Sequence, residues 1–241
     1  MNMSTIMSTT MPRTDDETAH IRLLGWLSPA FPVGAFAYSH GLEAAVEAEL
    51  VSDRESLTNW LGGLVRFGSA RNDALLLVVA HRGVTLNDRA MVAESSSMAS
   101  VMFGAPELEL EALGQGAAFW RTVTTSWPHQ DFERWAECLP EKGIAYPVAV
   151  GIAAAVHGIH LTAVVAAFLH AFVANGISAA IRLGVIGQTD GQHVQHDLET
   201  LTVHTARALV DATLDDIGSA AVTLDVMALS HETQTTRLFR S

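Results

Sequence analysis

Histidine supplies the most suggestive chemistry in this chain. His193 and His196 stand three residues apart beside a helix start, and His157 and His160 flank Gly158. An i, i+3 pair can grip one metal ion, but a complete site needs three or four ligands. His204 and Asp197 join such a pair only if folding recruits them. The plainer reading is solvated or capping histidine, so no metal site is assigned. Cys138 is the single cysteine, which excludes a disulfide framework and a cysteine-based zinc site. With no base visible beside it, Cys138 reads as a small buried residue in a reducing compartment. His231-Glu232 is not embedded in a His-Glu-x-x-His pattern. Lys142 is the only lysine, and no Gly-Lys-Ser/Thr follows a glycine loop, so a P-loop is excluded. Any nucleotide in this protein's biology is held by another chain. No catalytic triad and no carboxylate pair is visible, so the residues describe a protein without a catalytic kit.

One cluster of long polar groups borders the apolar centre: Arg182, Gln188 and Gln192. A cation at a helix C-terminus is favoured by the dipole alone, so Arg182 has a structural reason to be there as well. The formal net charge of -12 argues against nucleic acid, whose binding rests on clustered Lys and Arg, and leaves room for basic protein partners. Only 17% of residues are charged, below the usual quarter or so, while 49% are hydrophobic. There is much apolar surface to hide, some of it against partners.

These residues must be positioned by a stretch that carries no Asp, Glu, Lys or Arg, from Ile144 to Ile181. Two helical pieces are expected, Pro147 to His157 and His160 to Arg182, broken at Gly158. In the second, Leu161, Val164, Val165, Phe168, Leu169 and Phe172 recur at helical spacing, and the opposite side is Ala163, Ala166, Ala167, Ala174 and Ile177. A helix apolar all round is buried in a helical domain or in lipid. At about 1.5 Å per residue the second piece spans roughly 35 Å, enough for either. The Ala- and Gly-rich sides, His157, His160, His170 and Asn175, and the lack of a flanking basic cluster favour a buried axle. A membrane hairpin over 144–181 is the alternative.

The remaining chain reads as helices. The leader, residues 1–18, is Ser-, Thr- and Met-rich without a continuous apolar run; it is read as disordered and not as a signal peptide. Ala19–Leu27 opens the first helix, which ends before Pro29. Residues 28–47 form a stiff turn with Pro29, Phe31, Pro32, Phe36 and Tyr38, too apolar for a plain loop. It is either a buried corner or a partner or dimer surface. A helix follows over Tyr38–Leu50. Ser52 and Glu55 read as a capping box for the next, which carries Leu57 to Phe67. Ala74–Ala80 is a short buried run, and another helix runs from Asn87 to about Ser97. A helix from Pro106 to Trp120 starts with acids that suit its dipole. Asp131 to Glu137, the central pair, a turn and helix start over Gly187–Gln192 with a helix on to Asp211, and a last helix from Asp215 or Asp216 complete the order. No segment alternates at period two, so no strand is expected. The expectation is an all-α single domain over 19–230, of roughly eight to eleven helices around a central apolar pair, with a tail at 231–241. The tail ends Arg237-Leu238-Phe239-Arg240-Ser241, and folded-back packing and partner docking both remain open.

Three stretches, LLGWLSPAFPVGAFAYSHGLEAAV (Leu23–Val46), AIRLGVIGQTDGQ (Ala180–Gln192) and HETQTTRLFRS (His231–Ser241), resemble in order and spacing the urease accessory protein family UreF. Asn72-Asp73-Ala74-Leu75 lies between them. The resemblance implies an all-helical, dimeric, cytoplasmic, non-enzymatic protein. It implies partners UreD (also called UreH), the GTPase UreG and apo-urease, with no membrane or nucleic acid. It also implies a role in governing GTP-dependent nickel delivery, with GTP bound by the partner. No cofactor is then held tightly, since nickel is cargo passed on by the complex. Carried onto this sequence, the partner-binding positions are Pro29, Phe31, Pro32, Tyr38, Arg182, Gln188, Gln192, His231, Glu232, Arg237, Leu238, Phe239 and Arg240. A tail that orders when UreD binds is part of the same implication.

Overall fold

The computed structural model describes residues 15–102, 106–218 and 237–240. Its centre is the helix α8 (Tyr146–Val156), in which every residue from Pro147 to Val156 is buried. Proline near the first position presets the backbone without losing a helical hydrogen bond. The long helix α4 (Ser69–Leu86) lies along α8 so closely that a Cβ on Gly151 would stand 2.5 Å from the Leu77 carbonyl oxygen. Only glycine permits that approach. The helix α6 (Pro106–Ser126) covers another side of α8, with Gly116 against the backbone of Ile144–Tyr146.

The second apolar helix, α9 (Leu161–Arg182), packs on α4 and on α10 (Gln188–Ala208). Gly158, in the left-handed region at φ 65°, makes the break between α8 and α9 where the sequence placed it. Before these in the chain come α1 (Asp16–Trp26), α2 (Leu42–Glu47), α3 (Arg54–Phe67) and α5 (Arg89–Val101), and α7 (Asp131–Ala136) precedes α8. Short 3-10 turns stand at Ala35–Ala37 and Leu214–Asp216. The described residues contain ten α-helices and no strand, an all-α single domain as expected.

Several expectations need correction. The central segment is not uniformly enclosed: α8 is, but on α9 Ala163, His170 and Ser178 are exposed and Ala166, Ala167, Ala171 and Ala174 half-buried. The apolar residues of α9 face the core through Val164, Val165, Phe168, Leu169, Phe172, Val173, Ile177, Ala179 and Ala180. The membrane hairpin loses its second span, because the 11 residues of α8 cover about 16 Å and all lie inside protein. Alone, α9 is long and apolar enough to cross a bilayer. The first helix starts at Asp16, three residues early, because Asp15 caps it through Thr18 N–H at 2.8 Å. The helix expected over Tyr38–Leu50 shrinks to α2, because His40 (φ 52°) and Gly41 (φ 76°) take left-handed backbone. The capping box is shifted by one: Asp53 caps α3 and Ser56 reciprocates. Ala74–Ala80 is the middle of α4, about three turns shorter than the whole helix at 3.6 residues per turn. The leader, apart from residues 15–18, and nearly all of the last expected helix fall outside the described residues.

Candidate functional site

The 28–47 turn, the end of α9 and the C-terminal tail converge at one corner. Gly34, at φ 78°, sets up the 3-10 turn Ala35–Ala37, after which the chain runs extended through Tyr38. Three successive carbonyls of this turn point away from any helix and find partners elsewhere. The Arg182 guanidinium donates to the Phe36 carbonyl. The Arg240 backbone N–H donates to the Ala37 carbonyl at 2.8 Å. The Asn175 amide donates to the Tyr38 carbonyl at 3.2 Å. So α9 and the tail grip adjacent links of the same turn.

The tail is held from a second side by α2. Glu43, 8% exposed, accepts the Leu238 N–H at 2.6 Å and the Phe239 N–H at 3.0 Å. Such charge-assisted bonds exceed neutral ones in strength. Phe239 is buried, and the Arg182 guanidinium lies 4.3 Å from its ring centroid. That is cation–π geometry. Partial burial lowers Arg182 from its ordinary value, which still leaves it charged at neutral pH. Around this clasp two large apolar side chains face solvent, Phe36 at 67% and Leu238 at 61% exposure. Single exposed apolar residues are ordinary, and here two of them flank the anchored terminus.

The positions singled out by sequence divide accordingly. Arg182, Phe239 and the backbones of Tyr38, Leu238 and Arg240 meet in the clasp, and Arg237 precedes it, exposed. Pro29 and Pro32 are exposed on the preceding turn. Phe31 is buried instead, its ring 5.3 Å from Phe119 and 6.2 Å from Trp127, and serves the turn's rigidity. Gln188 and Gln192 are exposed on the first turns of α10, and among the described residues no hydrogen bond joins either to Arg182. His231 and Glu232 lie outside the described residues. Sequence reading missed the roles of Glu43 and Asn175.

The histidines stay apart. His157 donates from Nε2 to the Trp127 carbonyl at 3.1 Å, and its ring packs on Trp26 and Phe132. Burial first, then the Arg22 charge, pushes it down to about 4, so it is neutral in the folded protein. His160 starts α9, exposed. His196 faces Glu199 at 3.5 Å on the surface. Among the described residues no group of three or more His, Cys, Asp or Glu could hold a metal ion. The arrangement suits holding a peptide segment.

Comparison with known proteins agrees with these motifs. The family model UreF matches residues 51–199. The chain is 48% identical to the urease accessory protein UreF of Rhizobium etli over 223 residues, 92% of this chain and 96% of that one. It is 45% identical to the protein of the same name from Rhodopseudomonas palustris, covering 91% and 92% of the two chains. For Xanthobacter autotrophicus the figures are 44% identity, 94% and 93%.

Proposed function

This chain belongs to the UreF family of urease accessory proteins, and on that premise we propose that it is a non-enzymatic scaffold in nickel insertion into apo-urease. In this reading it is a cytoplasmic homodimer that bridges UreD (UreH) and the GTPase UreG and regulates the GTP-dependent step. Nickel is cargo, and GTP is bound by UreG. The observation that carries the proposal is the clasp: three stretches far apart in sequence build one corner, with Phe36 and Leu238 displayed beside a tail held by exchangeable bonds. Each bond contributes about 1 kcal/mol net, or about 1.5–3 where Glu43 accepts, so a partner offering equivalent partners can take the tail over. The absence of a P-loop from the sequence agrees with nucleotide being held in trans.

The test is co-purification of the full chain with UreD, UreG and urease, compared with Arg182→Ala and with a chain lacking 237–241. The expected result is an unchanged circular dichroism spectrum, UreD affinity reduced at least tenfold, and urease left short of nickel. Unaltered affinity together with fully metallated urease in both variants overturns the reading, as does tight GTP binding by the isolated chain.

A further inference from the structure

A cavity of ≈ 1080 Å³ opens on the other flank of the 28–40 turn, between α1, α6, the start of α4 and the small-residue face of α9. It exceeds the roughly 300–1,000 Å³ of small-molecule sites. Its wall along α9 carries the small residues Ala163, Ala166, Ala167, Ala171 and Ala174 beside the exposed His170, and small side chains let another helix approach at close range. From Ala163 to Ser178 that face runs about 22 Å, the length of four helical turns. The lips carry exposed Leu24 (58%), Phe36 (67%) and Val203 (40%).

The lining also holds acidic charge. Asp73 and Glu111 both line the cavity, and Asp73 makes no hydrogen bond or ion pair among the described residues. Burial, and then the Glu111 charge, pushes its carboxyl up to about 7. Glu111 is contacted by Gln115 at 2.9 Å and by His40 at 3.5 Å, and the His40 ring lies 4.7 Å from Phe172 of α9. His40 therefore links the acids to the alanine wall. Asn72, 8% exposed, lines the same cavity, and its Oδ1 accepts from the Gly218 N–H at 3.3 Å. Among the described residues nothing pairs with the Asp73 carboxylate at the cavity wall.

We infer that this groove receives an amphipathic helix of a partner protein, laid along the alanine face of α9 with an Arg or Lys side chain reaching Asp73 and Glu111. The apolar lips take the helix's aliphatic face, and the acids select for the cation. This goes beyond the urease-accessory reading and does not rest on it, since the clasp and the groove use different side chains apart from Phe36.

The probe is a lactam-bridged, fluorescent 16-residue peptide with a Leu/Ala face and one central Arg, paired with the same peptide carrying Glu there. Anisotropy is read on the full chain, on Asp73→Asn and on Ala167→Trp, each checked by circular dichroism, with mass by sedimentation. The expected result is at least tenfold preference for the Arg peptide, shrinking to within about twofold in Asp73→Asn, and loss of both peptides in Ala167→Trp. Equal binding of the two peptides, or a preference untouched by Asp73→Asn, overturns the inference. So does a groove that rejects both peptides while Ala167→Trp turns a dimer into a monomer, because a second copy then occupies it.

Discussion

Glu43 is a carboxylate spent on two amides of the chain's own end, and its replacement separates charge from shape. Glu43→Gln keeps the volume but presents an amide N–H to one of the tail N–H groups. With about 1.5–3 kcal/mol assigned to each charged bond, exchange of the Leu238 and Phe239 amides accelerates by on the order of 10- to 100-fold. Hydrogen exchange by mass spectrometry reads this, and unchanged protection would assign the hold to Arg182 and the Phe239 ring alone. Asp73 behaves in the opposite sense to a capped carboxylate. Its folded value, about 7, lies above the ordinary 3.8, so the folded state binds the proton more tightly. Stability from this group is complete below pH 3.8 and falls as pH rises toward 7. Asp73→Asn therefore stabilises at pH 8 by roughly 2–4 kcal/mol and little at pH 4, with Glu111 and His40 as the neighbouring titratable groups. Urea melts at the two pH values check it. At this scale the sequence was only partly legible. Arg182 and Phe239 stood out by type, whereas Glu43 and Asn175 act through backbone groups that no side-chain pattern reveals.

Among the elements, α4 and α8 show how much is set by one missing Cβ. Gly151→Val drives a side chain into the Leu77 carbonyl and Ala80, and the two central helices must move apart. The expected cost is about 3 kcal/mol or more, seen as a lowered urea midpoint with helical signal retained below it. Gly114 on α6 is the control: nothing lies within 4 Å of its added Cβ, so Gly114→Ala gains up to about 1 kcal/mol from helix propensity. Element existence followed from apolar spacing, and α9 ends at the expected Arg182. Boundaries failed where one left-handed residue or cap decided them, at His40, Gly41 and Asp53. The length of α4 was missed because its ends, such as Arg71 and Arg82, are polar; their guanidinium groups bond the carbonyls of Asp216 and Ala212.

At the scale of the molecule, one continuous core joins residues from Ala19 to Phe239. Unfolding followed by tryptophan fluorescence, from Trp26, Trp60, Trp120, Trp127 and Trp135, should coincide with loss of helical circular dichroism in a single transition. Two separated transitions would divide the core. The sequence by itself determined the helical class, the uncharged centre with its break at Gly158, and the family motifs, because composition and periodicity are local and survive without neighbours. Only the tertiary structure decided that α8 is enclosed while α9 keeps an open alanine face, since that depends on which helices cover which side. It alone also brought Glu43 to Leu238, 195 residues away along the chain. Pairings of that range follow from how helices pack across the core, and no spacing rule within a segment encodes them.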